Sequence, residues 1–310
     1  MKIGHQCKKS FVGLFASTRR VDCSSVFPLL SGDVFRLFCS HTWLGTDHGA
    51  LKKTQIESRF LFVSQANLLS LIKALEDGYR LGGTQDLLIH NGDRPTSTVM
   101  LDSLLLHFDR VWSVNIDPSE ETATFRWLPV GLENMSYGRV GRKVSFPGPE
   151  LISQYPNSSV HDRQIEVLAS FRVSTNPAVR QPLSQGLDLR KVTWIEPRER
   201  NLKRYRKALG ESKFVLSPPG NGRDCHRTWE AIYAGAIPVV LKGTIPADIC
   251  ESLPILEVSS FNDFLKRTPL EWSDVAIELN ARSREKAFAP YWLEELLKPK
   301  RSSTTARGLT

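Results

Sequence analysis

What the 310-residue chain lacks narrows its function first. No apolar run approaches the ~20 residues that a membrane-spanning helix needs. The opening Met1 to Cys7 leads into no sustained apolar core of the secretory kind. Phe11 to Ala16 is too short and is closed by Arg19 and Arg20. The five cysteines show no C-x-x-C spacing, and their odd number suits free thiols in a reducing compartment rather than a disulfide framework or a zinc site. Acidic charge is also short: 33 Asp and Glu stand against 41 Lys and Arg, a net charge of +8. Basic chains bind anions, whether nucleic acid, phosphorylated substrates or anionic membrane. No nucleic-acid module and no basic–aromatic array occurs, so nucleic acid is not an expected partner. With 41% apolar and 24% charged residues, the chain reads as soluble and globular, long enough for two domains.

Short apolar runs alternate with helical spacing. Residues 1–58 say least; Val34 to Cys39 reads as a strand, and His41, Asp47 and His48 fit no metal-ligand pattern. Arg59 to Ser64 is a strand candidate, Asn67 to Leu81 a helix, Asp86 to His90 a strand, Met100 to His107 a helix and Asp109 to Ile116 a strand. Such alternation argues an open parallel sheet, with ligands beyond the carboxyl ends of its strands. His90, Asn91 and Asp93 fall at one such end, Asn115 and Asp117 at the next. Turn-rich sequence over 136–162 marks a domain boundary. The expected organisation is an acceptor-side domain over 1–160, a second domain over 161–297 and a disordered tail over 298–310. In the second domain a strand over Glu166 to Phe171 precedes a short helix from Ser174 to Gly186 bearing Arg180. Basic residues then crowd 190–207, with Leu202, Tyr205 and Leu209 at helical spacing. That is an amphipathic helix with a basic outer face, suited to solvent, an acceptor phosphate or an anionic membrane.

Residues 213–241 carry the most information. Phe214 to Leu216 is a strand ended by Pro218 and Pro219, and Gly220, Asn221 and Gly222 form a loop. Asp224 reads as the N-cap of a helix over Arg227 to Ala234, stopped by Gly235 before a second strand at Ile237 to Leu241. A loop feeding a helix N-terminus is an anion site, and Arg223, His226 and Arg227 add positive charge there. Glu230, three residues after Arg227, shares its helix face.

The string Ser217, Pro218, Gly220, Arg227, Glu230, Ala231, Gly235, Ile237, Pro238, Val239 resembles the donor-site motif of exostosin-like glycosyltransferases. The segment Leu128-Pro-Val-Gly-Leu-Glu-Asn134 and the preceding His90-Asn91-x-Asp93 are similar to further strings of that family. The resemblance implies an α/β chain of GT-B type: two Rossmann-like domains facing a cleft, with a closing C-terminal helix. It implies a nucleotide diphosphate sugar as co-substrate. Arg227 would hold its pyrophosphate and Glu230 its ribose hydroxyls, with Ser217, Gly220, Asn221, Gly222, Arg223, His226 and Arg180 completing the donor site. Glu133, Asp93 and His90 are the candidates for the base. Metal-dependent transferases hold Mg²⁺ or Mn²⁺ with paired aspartates, and no Asp-x-Asp occurs here, so no cofactor or metal is expected.

The expected activity is hexosyl or pentosyl transfer to a glycan or lipid-linked glycan, in the cytoplasm, with possible peripheral contact to anionic membrane. Two other classes stay open. One is a non-catalytic nucleotide- or sugar-binding protein on the same fold. The other is a basic module for polyanions or membrane surfaces.

Overall fold

The computed structural model describes residues 27–44, 59–79, 86–134, 160–198 and 201–299. Asp47, His48, residues 136–159 of the expected boundary and the tail from 300 lie outside the described residues. Five strands, β1 (His41–Trp43), β2 (Phe60–Ser64), β3 (Asp86–His90), β4 (Arg110–Ser113) and β5 (Phe125–Trp127), pair in parallel in chain order. Runs such as Phe60-Leu-Phe-Val63 and Leu87-Leu-Ile89 are buried throughout, as strands covered on both faces must be. The connections β2–β3 and β3–β4 carry α2 (Leu68–Glu76) and α3 (Thr98–Leu105), which the right-handed rule for parallel crossovers puts on one face. The opposite face needs cover from elsewhere in the chain.

That core takes in residues from both ends of the described chain and, from the second domain, Trp229, Ile232, Tyr233 and Ile249. At the first end is α1 (Gly32–Phe38), which corrects the expectation of a strand at Val34 to Cys39. The Ser31 side chain accepts from Val34 N at 3.3 Å, and Asp33 sits in the first turn. These N-terminal signals outweigh the β-propensity of valine and phenylalanine. At the last end is α10 (Ala289–Leu297), which buries Trp292, Leu293 and Leu296. Its last carbonyls are held from the first sheet. Arg59 donates to Leu296, Leu297 and Lys298 oxygens, and Arg110 donates to Leu296 O at 2.9 Å while gripping Asp86 at 2.8 and 2.6 Å. Positive charge at a helix C-terminus is the favourable arrangement. The chain's last helix thus closes back onto the first domain, as expected. Helical spacing from Trp272 to Leu297 suggests one helix kinked at Pro290, but the chain breaks there: α9 (Pro269–Asn280) ends well before it, and Pro290 lies in the first turn of α10.

The second sheet has the order β10-β9-β8-β6-β7, all parallel, from β6 (Ile165–Ala169), β7 (Val192–Trp194), β8 (Ser212–Leu216), β9 (Ile237–Leu241) and β10 (Leu256–Val258). After β6 the chain steps outward to β7, then returns across to β8. The order therefore reverses between β6 and β8, the switch point where open α/β sheets open a crevice for ligands. The first sheet, wound in one direction, has no such reversal among its described strands. The basic helix α5 (Leu202–Glu211) buries Ala208 and Leu209 on the second sheet, with Tyr205 half-buried beside them; Lys203, Arg204 and Lys207 face solvent. Among the described residues no helix is long and apolar enough to cross a membrane.

Candidate functional site

The loops beyond the strand ends of the two sheets meet, and residues 217–226 lie at the meeting point. From the second domain the loop is stapled by α4 (Pro177–Gln185). Arg180 donates to the carbonyls of Pro218, Pro219 and Arg172, each at 2.9 Å, and Asn176 Nδ2 donates to Gly220 O at 3.0 Å. Arg172 follows β6 and Pro218 follows β8, so one guanidinium bridges both lips of the switch point. This differs from the expected place of Arg180 on the donor. Three carbonyls turned toward one buried side chain consume most of its donors, and the residue acts as a brace.

From the first domain the loop is held by five polar contacts. Asn221 Nδ2 donates to Asp93 Oδ2 (3.1 Å), and Arg223 pairs with Asp117 (2.5 Å). The Asp224 amide donates to Asn115 Oδ1 (3.1 Å), and its carboxylate accepts from Val130 N (2.9 Å). His226 Nδ1 donates to Gly131 O (2.7 Å). Gly222 lies so close to Asn115 that a Cβ would stand 2.6 Å from its amide, so only glycine lets the two domains approach there. Gly131 has φ +64, and a Cβ on it would meet Leu30 O at 2.4 Å. Asn221, Gly222, Arg223 and Asp224, expected on the donor or as a cap, are thus engaged in joining the domains.

Asp224 is not a helix cap. The N-cap of α6 (His226–Tyr233) is Cys225, which makes no side-chain cap bond. Asp224 is fully buried and accepts from Trp229 Nε1 at 2.9 Å as well as from Val130; burial pushes its carboxyl up to about 6. Ser217 is buried, its Oγ 2.9 Å from Thr228 Oγ1 and 3.3 Å from Cys225 Sγ. It shapes the turn from within.

The other expected residues separate clearly. His90 is buried, with Nε2 donating to Pro129 O (3.1 Å) and Nδ1 accepting from Asn91 N (2.8 Å); burial takes it down to about 4. With both ring nitrogens engaged it braces two strand ends and has no lone pair left for an acceptor proton, which corrects its expected role as a base. Asp93 is exposed and holds Asn221. Glu133 is half-buried after β5, and burial raises its carboxyl above the usual glutamate range; His226 opposes that rise and Glu230 adds to it. Glu133, His226 and Glu230 therefore lie close enough to sense one another across the domain boundary.

Arg227 and Glu230 do not pair. Glu230 Oε2 accepts from Tyr205 OH at 2.6 Å, and its charge together with burial lifts the tyrosine well above its ordinary value. Arg227 Nη1 is buried and has no hydrogen-bond partner. Arg180 is its neighbour: burial, with the like charge of Arg227 adding, pulls Arg180 down to about 10. The two like charges thus act on one another near the switch point, beside the uncapped N-terminus of α6. An anion with several oxygens is the complement of that arrangement. Tyr205 was legible only as a core residue of the basic helix, and its bond to Glu230 has no sequence signal.

Residues 166–269 match the family described as RXYLT1 C-terminal domain. That is about a third of the chain, and it contains Arg180, the switch-point loop and α6. Among solved structures the chain is similar to "Spinosyn Rhamnosyltransferase SpnG", at 11% identity with a TM-score of 0.35, over 78% of this chain and 70% of that one. No curated protein matches the chain.

Proposed function

We propose that the chain transfers a sugar from a nucleotide diphosphate sugar to a hydroxyl of a glycan or lipid-linked glycan, without a metal ion. The buried, unpartnered Nη1 of Arg227, close enough to Arg180 to feel its charge and beside a bare helix N-terminus, carries this reading. The family match across the same segment supports sugar transfer. As the glycosidic bond breaks, negative charge builds on the β-phosphate oxygen. Arg227 and the α6 N-terminus stabilise it where a divalent cation serves in metal-dependent transferases. His226, its Nδ1–H fixed on Gly131 O, keeps Nε2 as an acceptor for a hydroxyl of the donor's sugar. Glu230, already ordered by Tyr205, accepts from the ribose hydroxyls with its remaining lone pairs. The exposed basic face of α5 supports an acceptor at an anionic membrane surface on the cytoplasmic side.

The test is a thermal-shift panel of nucleoside diphosphates and their sugars, with and without EDTA. A ligand at a hundredfold its Kd should stabilise the protein by about 2.7 kcal/mol. The shift should be the same in EDTA. No shift with any of them sinks the reading, and a shift lost in EDTA removes metal independence. Binding of UDP or GDP without any transfer or hydrolysis leaves a non-catalytic binding protein.

Glu133 is the base for an inverting transfer. Its raised carboxyl means that activity falls as pH drops through a value above the ordinary glutamate range, because the protonated form cannot accept. Glu133→Gln should lower kcat by roughly 10²–10⁴ and abolish that acidic limb, with donor affinity unchanged. A Gln variant that keeps the acidic limb would assign the base elsewhere.

A further inference from the structure

On the β5 edge of the first sheet lies a cavity of about 640 Å³, closed from the other side by α10 and by the start of α7 (Ala247–Ser252). None of Glu133, Arg180, Arg227 or Glu230 lines it. Trp127 stands between the two places. Its ring lies 6.4 Å from that of Trp229, the residue that donates to Asp224 in the domain bridge, and 5.5 Å from that of Trp292. The volume falls in the range of small-ligand sites.

The wall joins aromatic rings to opposed charges. Trp112, Trp127, Tyr291 and Trp292 supply the rings. Arg110, Arg126 and Lys298 supply three positive charges, while Glu121, Asp248 and Glu295 supply three negative ones. Each is already matched: Arg126 with Glu121 at 2.9 Å, Lys286 with Asp248 at 3.2 Å, Lys298 with Glu295, and Arg110 with Asp86. A charged ligand would have to break a pair and leave a half-buried partner uncompensated. A hydroxyl breaks nothing, because it donates to a spare carboxylate lone pair and accepts from a guanidinium N–H. Trp112 Nε1 and Trp127 Nε1 are buried behind this wall without a hydrogen-bond partner, so their signals report on what enters the cavity.

We infer that this cavity is a second carbohydrate site, which takes a short neutral oligosaccharide and lies apart from the place of transfer. The half-buried Tyr291 ring meets a C–H face of the sugar, and the neutralised pairs meet its hydroxyls. The site serves to anchor a glycan chain while another part of it, or another chain, reaches Glu133. Binding there needs no turnover, so the inference stands or falls apart from the transferase reading.

The test is a titration of the ¹⁵N-labelled full chain, followed on the indole N–H signals of Trp112 and Trp127 and assigned through their Trp→Phe variants. The probes are xylo-, cello-, manno-, galacto- and laminari-tetraose, with UDP and adenosine as controls. At least one tetraose should move both signals saturably in the millimolar range, and neither control should. Tyr291→Ala and Glu121→Gln should each weaken that binding by about tenfold or more, while keeping the parent's melting temperature within a few degrees and its response to UDP elsewhere in the spectrum. Indole signals that no tetraose moves, that UDP or adenosine moves instead, or that respond equally in both variants would overturn the site.

Discussion

Arg227→Met is expected to lose nucleoside diphosphate binding while gaining a little stability. The two effects come from the same atom. Nη1 of Arg227 is buried with no hydrogen-bond partner, and Arg180 adds a like charge close by. A buried donor left unpaired costs about 1–3 kcal/mol, and methionine fills the stem's volume without that penalty. Urea denaturation should therefore show Arg227→Met at least as stable as the parent, by up to about 1 kcal/mol. A diphosphate supplies the missing acceptor, and charge-assisted bonds of this kind contribute about 1.5–3 kcal/mol each. Two such bonds lost should lower affinity by roughly a hundredfold or more, and kcat/KM by at least as much, since charge grows on the leaving phosphate in the transition state. A purely structural arginine predicts the reverse pattern. A variant that melts early and still titrates UDP or GDP in the calorimeter would remove Arg227 from the donor site.

How far the sequence foretold this arrangement depends on what kind of signal each residue left. The strands were legible because a buried parallel strand is a short, nearly unbroken apolar run. Leu87-Leu-Ile89 and Phe214-Val-Leu216 are buried from end to end, as read. The exception, Val34 to Phe38, shows the limit of composition. Its residues favour strands, but the Ser31 cap and an acidic first turn decide for helix. The glycine-rich loop was legible as a loop at a strand end, yet its use was not. Asn221, Arg223 and Asp224 carry the same chemistry whether they face a phosphate or another domain. Only the fold brings Asp93, Asn115 and Asp117 opposite them. His90 and Arg180 show the same ambiguity. Each is a polar residue at a strand end or on a neighbouring helix, and each is committed to main-chain atoms that no pattern of side chains records. Arg227 keeps a buried Nη1 without a hydrogen-bond partner, a property visible only in three dimensions.

Asp224 carries the second large effect. Its carboxylate accepts from Val130 N in the first domain and from Trp229 Nε1 in the second, and it is shielded from water. Asp224→Ala orphans both donors at about 1–3 kcal/mol each, so a loss of about 3 kcal/mol or more in urea denaturation is expected. The pH dependence gives a sharper test. Burial raises the folded-state value from 3.8 to about 6. Between those values the native protein holds a proton that the unfolded chain has released, so stability contributed by this group is full below the lower value and is lost as pH rises through about 6. At 1.36 kcal/mol per unit the loss amounts to at most about 3 kcal/mol. Asp224→Asn cannot titrate, so subtracting its stability profile from that of the parent isolates this slope. The difference should fall steadily from pH 4 to pH 6 and then stay level. At neutral pH the bridge thus holds an ionised group against its burial cost, which weakens the join between the domains. Unless the difference profile falls across that window, Asp224 is not the ionising group of the bridge. If Asp224→Ala is as stable as the parent, the domains are held together by their apolar contacts through Trp127 and Trp229 instead.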